Sequence, residues 1–334
     1  PLLPAGGPAS TAWTVQLARP FRINGKADTD QNRGENEKTA EQARVGEAIH
    51  EAARSLLDLW IDGLSATQAQ RLYQEQQSFA QANLRAVESR RKAGDAAALD
   101  VNVAMADAAE VERQASLASS NLAKALAKLR VRFPGAQLPP QSLGEPQPPS
   151  ESEAQWLQRV TEASDPLRIA EGNLRKAELT ASRASADRVP DPTVGVFAAS
   201  ESFRQERIVG LSVTIPLSGT YRHERMRQAL QEAEAARATV DRQRRELETA
   251  VAETYADATG NLARWRIAEQ GAKATGDSAR LTQRAYSLGE ADLQALLLAR
   301  RQFLDASRAA LEARAEALRA NYRLLVDSHL IWDL

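Results

Sequence analysis

The chain has 334 residues, 43 Lys and Arg against 44 Asp and Glu, and no cysteine. Nearly balanced charge, with no long block of one sign, leaves no electrostatic footprint for nucleic acid, and the lack of cysteine excludes disulfides and thiolate metal sites. Charged residues make up 26% of the chain and aromatics only 5%, a profile of long helices in which no apolar run is long enough to cross a bilayer.

The first predicted element is an alternating strand, Trp13 to Phe21. Trp13, Val15 and Leu17 fall on one side; Thr14, Gln16 and Ala18 fall on the other, and Arg19 is the misfit on the apolar side. Alternation of this kind marks a strand with one apolar face. The polar run Asp28 to Asn32 lacks the glycine and closing glutamate of a calcium loop and is read as a solvated turn. All fourteen prolines lie within 1–20, 134–166 and 190–216, so the stretches between them are free to form very long helices. The first stretch predicts helices near 35–92 and 97–132, separated by Lys92-Ala93-Gly94-Asp95. A Pro-rich linker covers 134–151, and one further helix is predicted over about 152–188.

A hairpin follows. One strand begins at Pro192, a polar loop runs from Glu201 to Arg207, and the next strand carries Val209, Leu211, Val213 and Ile215 on one face. Proline-free sequence then predicts a helix near 220–287, which at ~1.5 Å per residue is ~100 Å long. It breaks at Ser287-Leu288-Gly289-Glu290 before a shorter helix near 292–330. In that last helix Leu297, Leu304, Leu311, Leu318 and Leu325 recur by sevens, and Ala299, Ala306, Ala313 and Ala320 form a second column on nearly the opposite flank. Two seams suggest a stave with a neighbour on each side rather than a simple two-stranded coiled coil.

The chain repeats itself. Pro20 to Pro216 is 196 positions and Gly94 to Gly289 is 195, so strand, long helix, glycine turn and shorter helix recur in register. This divides the chain into a first repeat over 1–133, the linker over 134–151 and a second repeat over 152–334. The first copy lacks the opening strand and preceding helix of the second, which predicts a chain incomplete at its N terminus. His50, His223 and His329 are isolated in sequence and lack ligand spacing, so no metal site is expected. No nucleotide fingerprint or catalytic constellation points to an enzyme, and no cofactor is expected.

These features together resemble the TolC-like outer-membrane efflux proteins. The resemblance rests on the tandem repeat, on Ser164-Asp165-Pro166-Leu167, on Pro190-Asp191-Pro192 and Ile215-Pro216-Leu217 around the hairpin, and on Tyr286 to Leu293 followed by Ala299-Arg300-Arg301. The family more often has Asn-Pro where this chain has Asp165-Pro166. The resemblance implies a mainly α protein with a small β part, whose long antiparallel helices form a trimeric α-helical barrel below a shared 12-stranded transmembrane β-barrel. It implies a homotrimer in the outer membrane of a Gram-negative bacterium, extending into the periplasm. A periplasmic adaptor (membrane fusion) protein, an inner-membrane pump and outer-membrane lipid would be its partners. The two glycine turns become the periplasmic tips. Asp95, Asp100, Glu290 and Asp292 become the pore or gate carboxylates, and Arg91, Gly94, Arg284, Tyr286, Leu288 and Gly289 the adaptor-docking tips. Of the four carboxylates, Asp95 and Glu290 are expected to cap the following helices, whereas Asp100 and Asp292 are expected to face the lumen. The competing reading is a soluble periplasmic coiled-coil adaptor or spacer.

Overall fold

A computed structural model describes residues 13–140, 142–201, 206–217 and 219–331. The middle of the polar loop predicted over 201–207 therefore lies outside the described residues. The element order is β1 (Trp13–Pro20), α1 (Lys26–Lys92), α2 (Ala98–Arg132), α3 (Glu153–Ala163), α4 (Asp165–Ala186), β2 (Thr193–Glu201), β3 (Glu206–Thr214), α5 (Thr220–Leu288) and α6 (Leu293–Asp327). The two long helices have 67 and 69 residues, and each is followed by a helix of 35.

Two expectations are corrected. Helix α1 begins at Lys26, so Asp28 to Asn32 lies in its opening turns and is not a solvated turn. The chain reverses earlier, where Asn24 and Gly25 both take positive φ, a backbone open to glycine and asparagine. The helix predicted over 152–188 is in fact two, α3 and α4, broken at Ser164. Pro166 is tolerated in the first turn of α4 because the amide it lacks would have no helical partner there.

By contacts the chain falls into two compact units, neither continuous in sequence: Pro1–Gly46 with Asp165–Arg245, and Glu47–Ser164 with Glu246–Leu334. In the first unit, β1, β2 and β3 form an antiparallel sheet in that order, with Leu17 opposite Val196 and Val196 opposite Leu211. Below the strands, Lys26 is buried and its Nζ donates to Asp191 Oδ1 and to the Val189 carbonyl, each at 2.7 Å. The Ile23 amide donates to the same Asp191 oxygen at 3.1 Å. A buried ammonium is tolerable only when its donors are satisfied, so this cluster fixes the passage from β1 into α1 against the segment entering β2. Helices α1 and α4 approach closely. A Cβ on Gly46 would overlap Asp165 Oδ2, and Asp165 is itself buried.

In the second unit, α6 has neighbours on two sides. Leu318 and Ala315, with Leu311 beside them, pack on Ile61 and Leu64 of α1 and on Leu143 of the linker. Ala320 and Leu324 pack on Val251 and Ala258 of α5 and on Trp156 and Val160 of α3. At its end, Asp327 accepts from Arg54 Nε at 2.8 Å and lies 3.3 Å from His50 Nε2. The His329 ring meets that of His50 edge-on, with centroids 5.1 Å apart. Two histidines isolated in sequence are thus brought together. No group of three or more candidate ligands among the described residues could hold a metal ion.

Burial alone would push the Asp327 carboxyl up, but the His50 contact and the Arg54 and Arg323 charges outweigh it and hold it below the ordinary carboxylate range. A depressed folded pKa contributes stability that is present above the unfolded value, near ~3.9 for aspartate, and is lost as pH falls through the folded value. The protein is therefore expected to lose stability on acidification below about pH 4. Asp327→Asn should flatten that part of the profile while lowering the melting temperature at neutral pH. Thermal melts from pH 7 down to pH 2 check this, and an unchanged acid limb would remove Asp327 from the account.

Candidate functional site

Two surfaces stand out: one face of the sheet and the paired helix tips. On the sheet, residues opposite one another across the strands share a face. One face carries the rows Leu17–Val196–Leu211 and Val15–Ala198–Val209, with Arg19–Val194–Val213 towards one end. Its side chains point into solvent: Leu17 is 76% exposed, Val209 84% and Leu211 79%, and Trp13, Val213 and Ile215 are exposed as well. A contiguous apolar face of this kind marks a surface that meets something other than water. The opposite face is mixed rather than purely polar. Gln16 Nε2 donates to Ser212 Oγ at 3.1 Å, but Phe197 also lies on this side, across Gly210, where a Cβ would fall 2.6 Å from its ring. Among the described residues, β1 and β3 each pair only with β2.

The tips are built alike. Gly94 and Gly289 take φ of +88° and +79°. The Gly94 amide donates to the Arg91 carbonyl and the Asp95 amide to the Arg90 carbonyl; Gly289 to Tyr286 and Glu290 to Ala285 repeat the pattern. These are Schellman closures, in which a left-handed glycine lets two amides satisfy the last helical carbonyls. Val87 and Ala104 pack with Leu293, and Tyr286 lies against them. The Arg90 guanidinium stands 5.5 Å from the centre of the Tyr286 ring. The two turns are therefore held side by side. Beside them a cavity of about 640 Å³ is lined in part by Ala82, Ala86, Arg90, Tyr286 and Leu288.

The capping roles are the reverse of those expected. Asp292 is the N-cap of α6, accepting from the Ala295 amide at 2.7 Å. Asp100 reaches back to accept from the Ala97 amide at 2.9 Å. Asp95 and Glu290 contribute their backbone amides to the turns, and their side chains are exposed. The reason is positional: after a Schellman turn the chain runs on a few residues before helical geometry resumes, so the carboxylate at the helix start does the capping. Arg91, Arg284 and Leu288 are exposed on the same turns. Replacing Asp292 with alanine should cost ~1 kcal/mol, as a lost N-cap does. The loss should appear as faster amide exchange in the first turn of α6, and protection equal to the parent's would remove the cap from the account.

Sequence reasoning missed the Lys26–Asp191 cluster and the His50–Asp327–His329 contact. Pro190-Asp191-Pro192 was visible as a motif, but nothing in it showed that Asp191 receives a buried lysine. The histidines meet only through tertiary packing, which leaves no local signal.

A sheet with an exposed apolar face and helical hairpins with matched glycine turns are features that fit a protein of the outer-membrane efflux type. Residues 156–326 match the outer membrane efflux protein family, just over half of the 334-residue chain, and the protein belongs to that family. It is accordingly an efflux protein of the Gram-negative outer membrane. Comparison with curated proteins returned no match. The fold is similar to that of the outer-membrane channel OprN, with 18% identity and a TM-score of 0.82 over 96% of this chain and 80% of that one. VceC of Vibrio cholerae shows 15% identity and 0.76 over 95% and 86% of the two chains. The CmeC channel of Campylobacter jejuni shows 14% identity and 0.79 over 95% and 71%.

Proposed function

We propose that this chain is one protomer of a homotrimeric conduit that carries substrate passively from the periplasm to the exterior. The observation that carries the proposal is the apolar sheet face in which, among the described residues, only β2 is paired on both sides. An unpaired edge in hydrocarbon costs several kcal/mol per backbone group, so strands of this kind enter a membrane only in a closed barrel. Three strands cannot close one, and copies of the chain would have to share it. With a fourth strand in each protomer, three protomers would make twelve, an even number of the sort bacterial barrels use. Arg19, at the end of its strand, could lay its stem along the apolar band and keep its charge in water.

In this reading the two strand-helix units, 1–133 and 152–334, are sectors of one wall, and the linker over 134–151 lies between them. The turns at Gly94 and Gly289 are the periplasmic tips, which close the pore and meet a periplasmic adaptor joined to an inner-membrane pump. Asp95 and Glu290, exposed and free of capping duty, would form the acidic ring at the constriction. Asp100 and Asp292 would hold the helix starts that position it, and Arg91, Arg284, Tyr286 and Leu288 would present the docking surface. Carboxylates repeated around a pore favour cations. The test is extraction from cell envelopes: detergent should be required, and the solubilised protein should sediment with the mass of three chains. Release of a monomer by osmotic shock would instead support a soluble periplasmic spacer.

A further inference from the structure

We propose that the foot of the sheet carries a binding site for an anionic phospholipid headgroup, whose phosphate is held by Arg188, Arg222 and Arg225. The proposal rests on the reading that the apolar sheet face meets lipid. Pro20, Thr193 and Thr214 lie opposite one another across the strands. From that row the chain runs into α1, back to α4 and into α5, so all three passages leave the sheet at the same end. The apolar face continues past the row. Ile215 and Leu217 extend it towards α5, Leu217 with 91% exposure, and Tyr221 follows in the opening turn of that helix, exposed as well. The arginines come next. Arg225 Nη1 donates to Tyr221 Oη at 3.2 Å, and Arg222, three positions before Arg225, is its neighbour on the helix surface. The Arg222 guanidinium also donates to the Asp187 carbonyl, which brings it beside Arg188, exposed in the passage from α4 to β2.

This charge is uncompensated. The acids of the two segments are already engaged: Asp187 by Arg183 and Lys26, Asp191 by Lys26, and Glu224 by Arg227. Among the described residues, none of the three arginines has a carboxylate within ion-pair distance. Further along α5 the pattern is the opposite, with Arg237 paired to Glu178 and Glu234, and Arg244 to Glu171. A helix start favours acidic side chains, yet α5 has none in its first turn and carries Arg222 there instead. Like charges gathered without an anion repel one another, so an anion from outside completes the arrangement. Position decides which anion. Guanidinium groups bind phosphate oxygens through paired hydrogen bonds. An apolar band that ends in a tyrosine and then in arginines matches a lipid–water boundary, with acyl chain against Leu217 and headgroup against the guanidiniums. A soluble anion would need the arginines but would gain nothing from their place beneath an apolar band.

The experiment uses the full chain, delipidated in detergent and supplied with equal amounts of phosphatidylglycerol and phosphatidylcholine of the same acyl chains. Native mass spectrometry should show phosphatidylglycerol retained in preference. Arg188→Gln combined with Arg225→Gln should cut that preference at least about five-fold, given what each basic residue contributes beside an anionic lipid surface. Both side chains are exposed, and the bond from Arg222 to Asp187 is left in place, so the fold should survive. Arg280→Gln makes the same kind of charge change at an arginine paired with Asp277 further along α5, and should leave the preference as it is in the parent. Excess inorganic phosphate should not displace the lipid; displacement would mean a site for soluble anions and would overturn the lipid assignment. Equal retention of the two lipids by the parent, or a preference that the double variant keeps, would overturn the site and leave the lipid-facing sheet standing. Parent protein that retains neither lipid and fails to insert into vesicles would overturn the lipid-facing sheet, and the site with it.

Discussion

Trp156→Ala is expected to be the most destabilising single change in the helical part of the protein. Trp156 is fully buried, at 0% exposure, where α3 meets α5 and α6; Val160, Val251, Ala258, Ala320 and Leu324 surround it. Helix α3 has only eleven residues, too short to persist in water without tertiary packing, so the indole is its principal anchor. Truncating a buried tryptophan removes its transfer free energy and leaves a cavity the long neighbouring helices cannot collapse around, at a cost of ~3–5 kcal/mol. Denaturant melts of detergent-solubilised protein should show the loss, with protease cutting near 150–164 appearing early. Trp156→Phe should cost much less, because most of the volume is kept. Leu281→Ala, at an exposed position, should stay within ~0.5 kcal/mol of the parent. If Trp156→Ala melted with the Leu281 variant, α3 would not be seated where the structure places it.

Leu211→Arg should have an effect of similar size by a different route. Leu211 lies in the row with Leu17 and Val196 near the middle of the exposed apolar face. If that face meets lipid, an arginine near the bilayer midplane costs ~2–4 kcal/mol per chain, and a trimer carries it three times. Folded protein in the outer membrane should fall sharply, as measured by heat-modifiable gel mobility and by yield from the outer-membrane fraction. Gln16→Arg places the same charge at similar height on the opposite face, where Gln16 already bonds Ser212, and should assemble near normally. Equal loss from both substitutions would mean that the sheet has no lipid side.

How much of this was legible in the sequence depended on whether the cause was local. The long helices and their stops could be read because proline and glycine act on their own backbone: α2 and α6 begin within one residue of the expected positions. The strand faces could be read because alternation maps directly onto sides of a sheet. The break at Ser164 was missed because Pro166 suits the first turn of a helix and was read as continuing one. The reversal of caps at the tips was missed for a related reason. Residue type shows that a carboxylate near a turn can cap, but the helix start, which decides which one does, depends on how many residues the glycine closure consumes. The Lys26–Asp191 cluster and the meeting of His50 with His329 join segments more than 160 positions apart, and no pattern within either segment carries that information.

The sheet has a further consequence for the order in which the protein is made. β1 finds its only described partner in β2, from Trp13 opposite Ser200 to Pro20 opposite Thr193. During synthesis at ~5–20 residues per second, the first strand therefore waits roughly ten to thirty-five seconds for the second to be made. Throughout that interval its apolar side chains and unpaired edge are open to pairing with other chains. The pairing is non-local, running from Trp13–Ser200 to Pro20–Thr193, and will form after the local helices made between its strands. The Lys26–Asp191 contact, which joins the start of α1 to the segment entering β2, can bring the two strands into range.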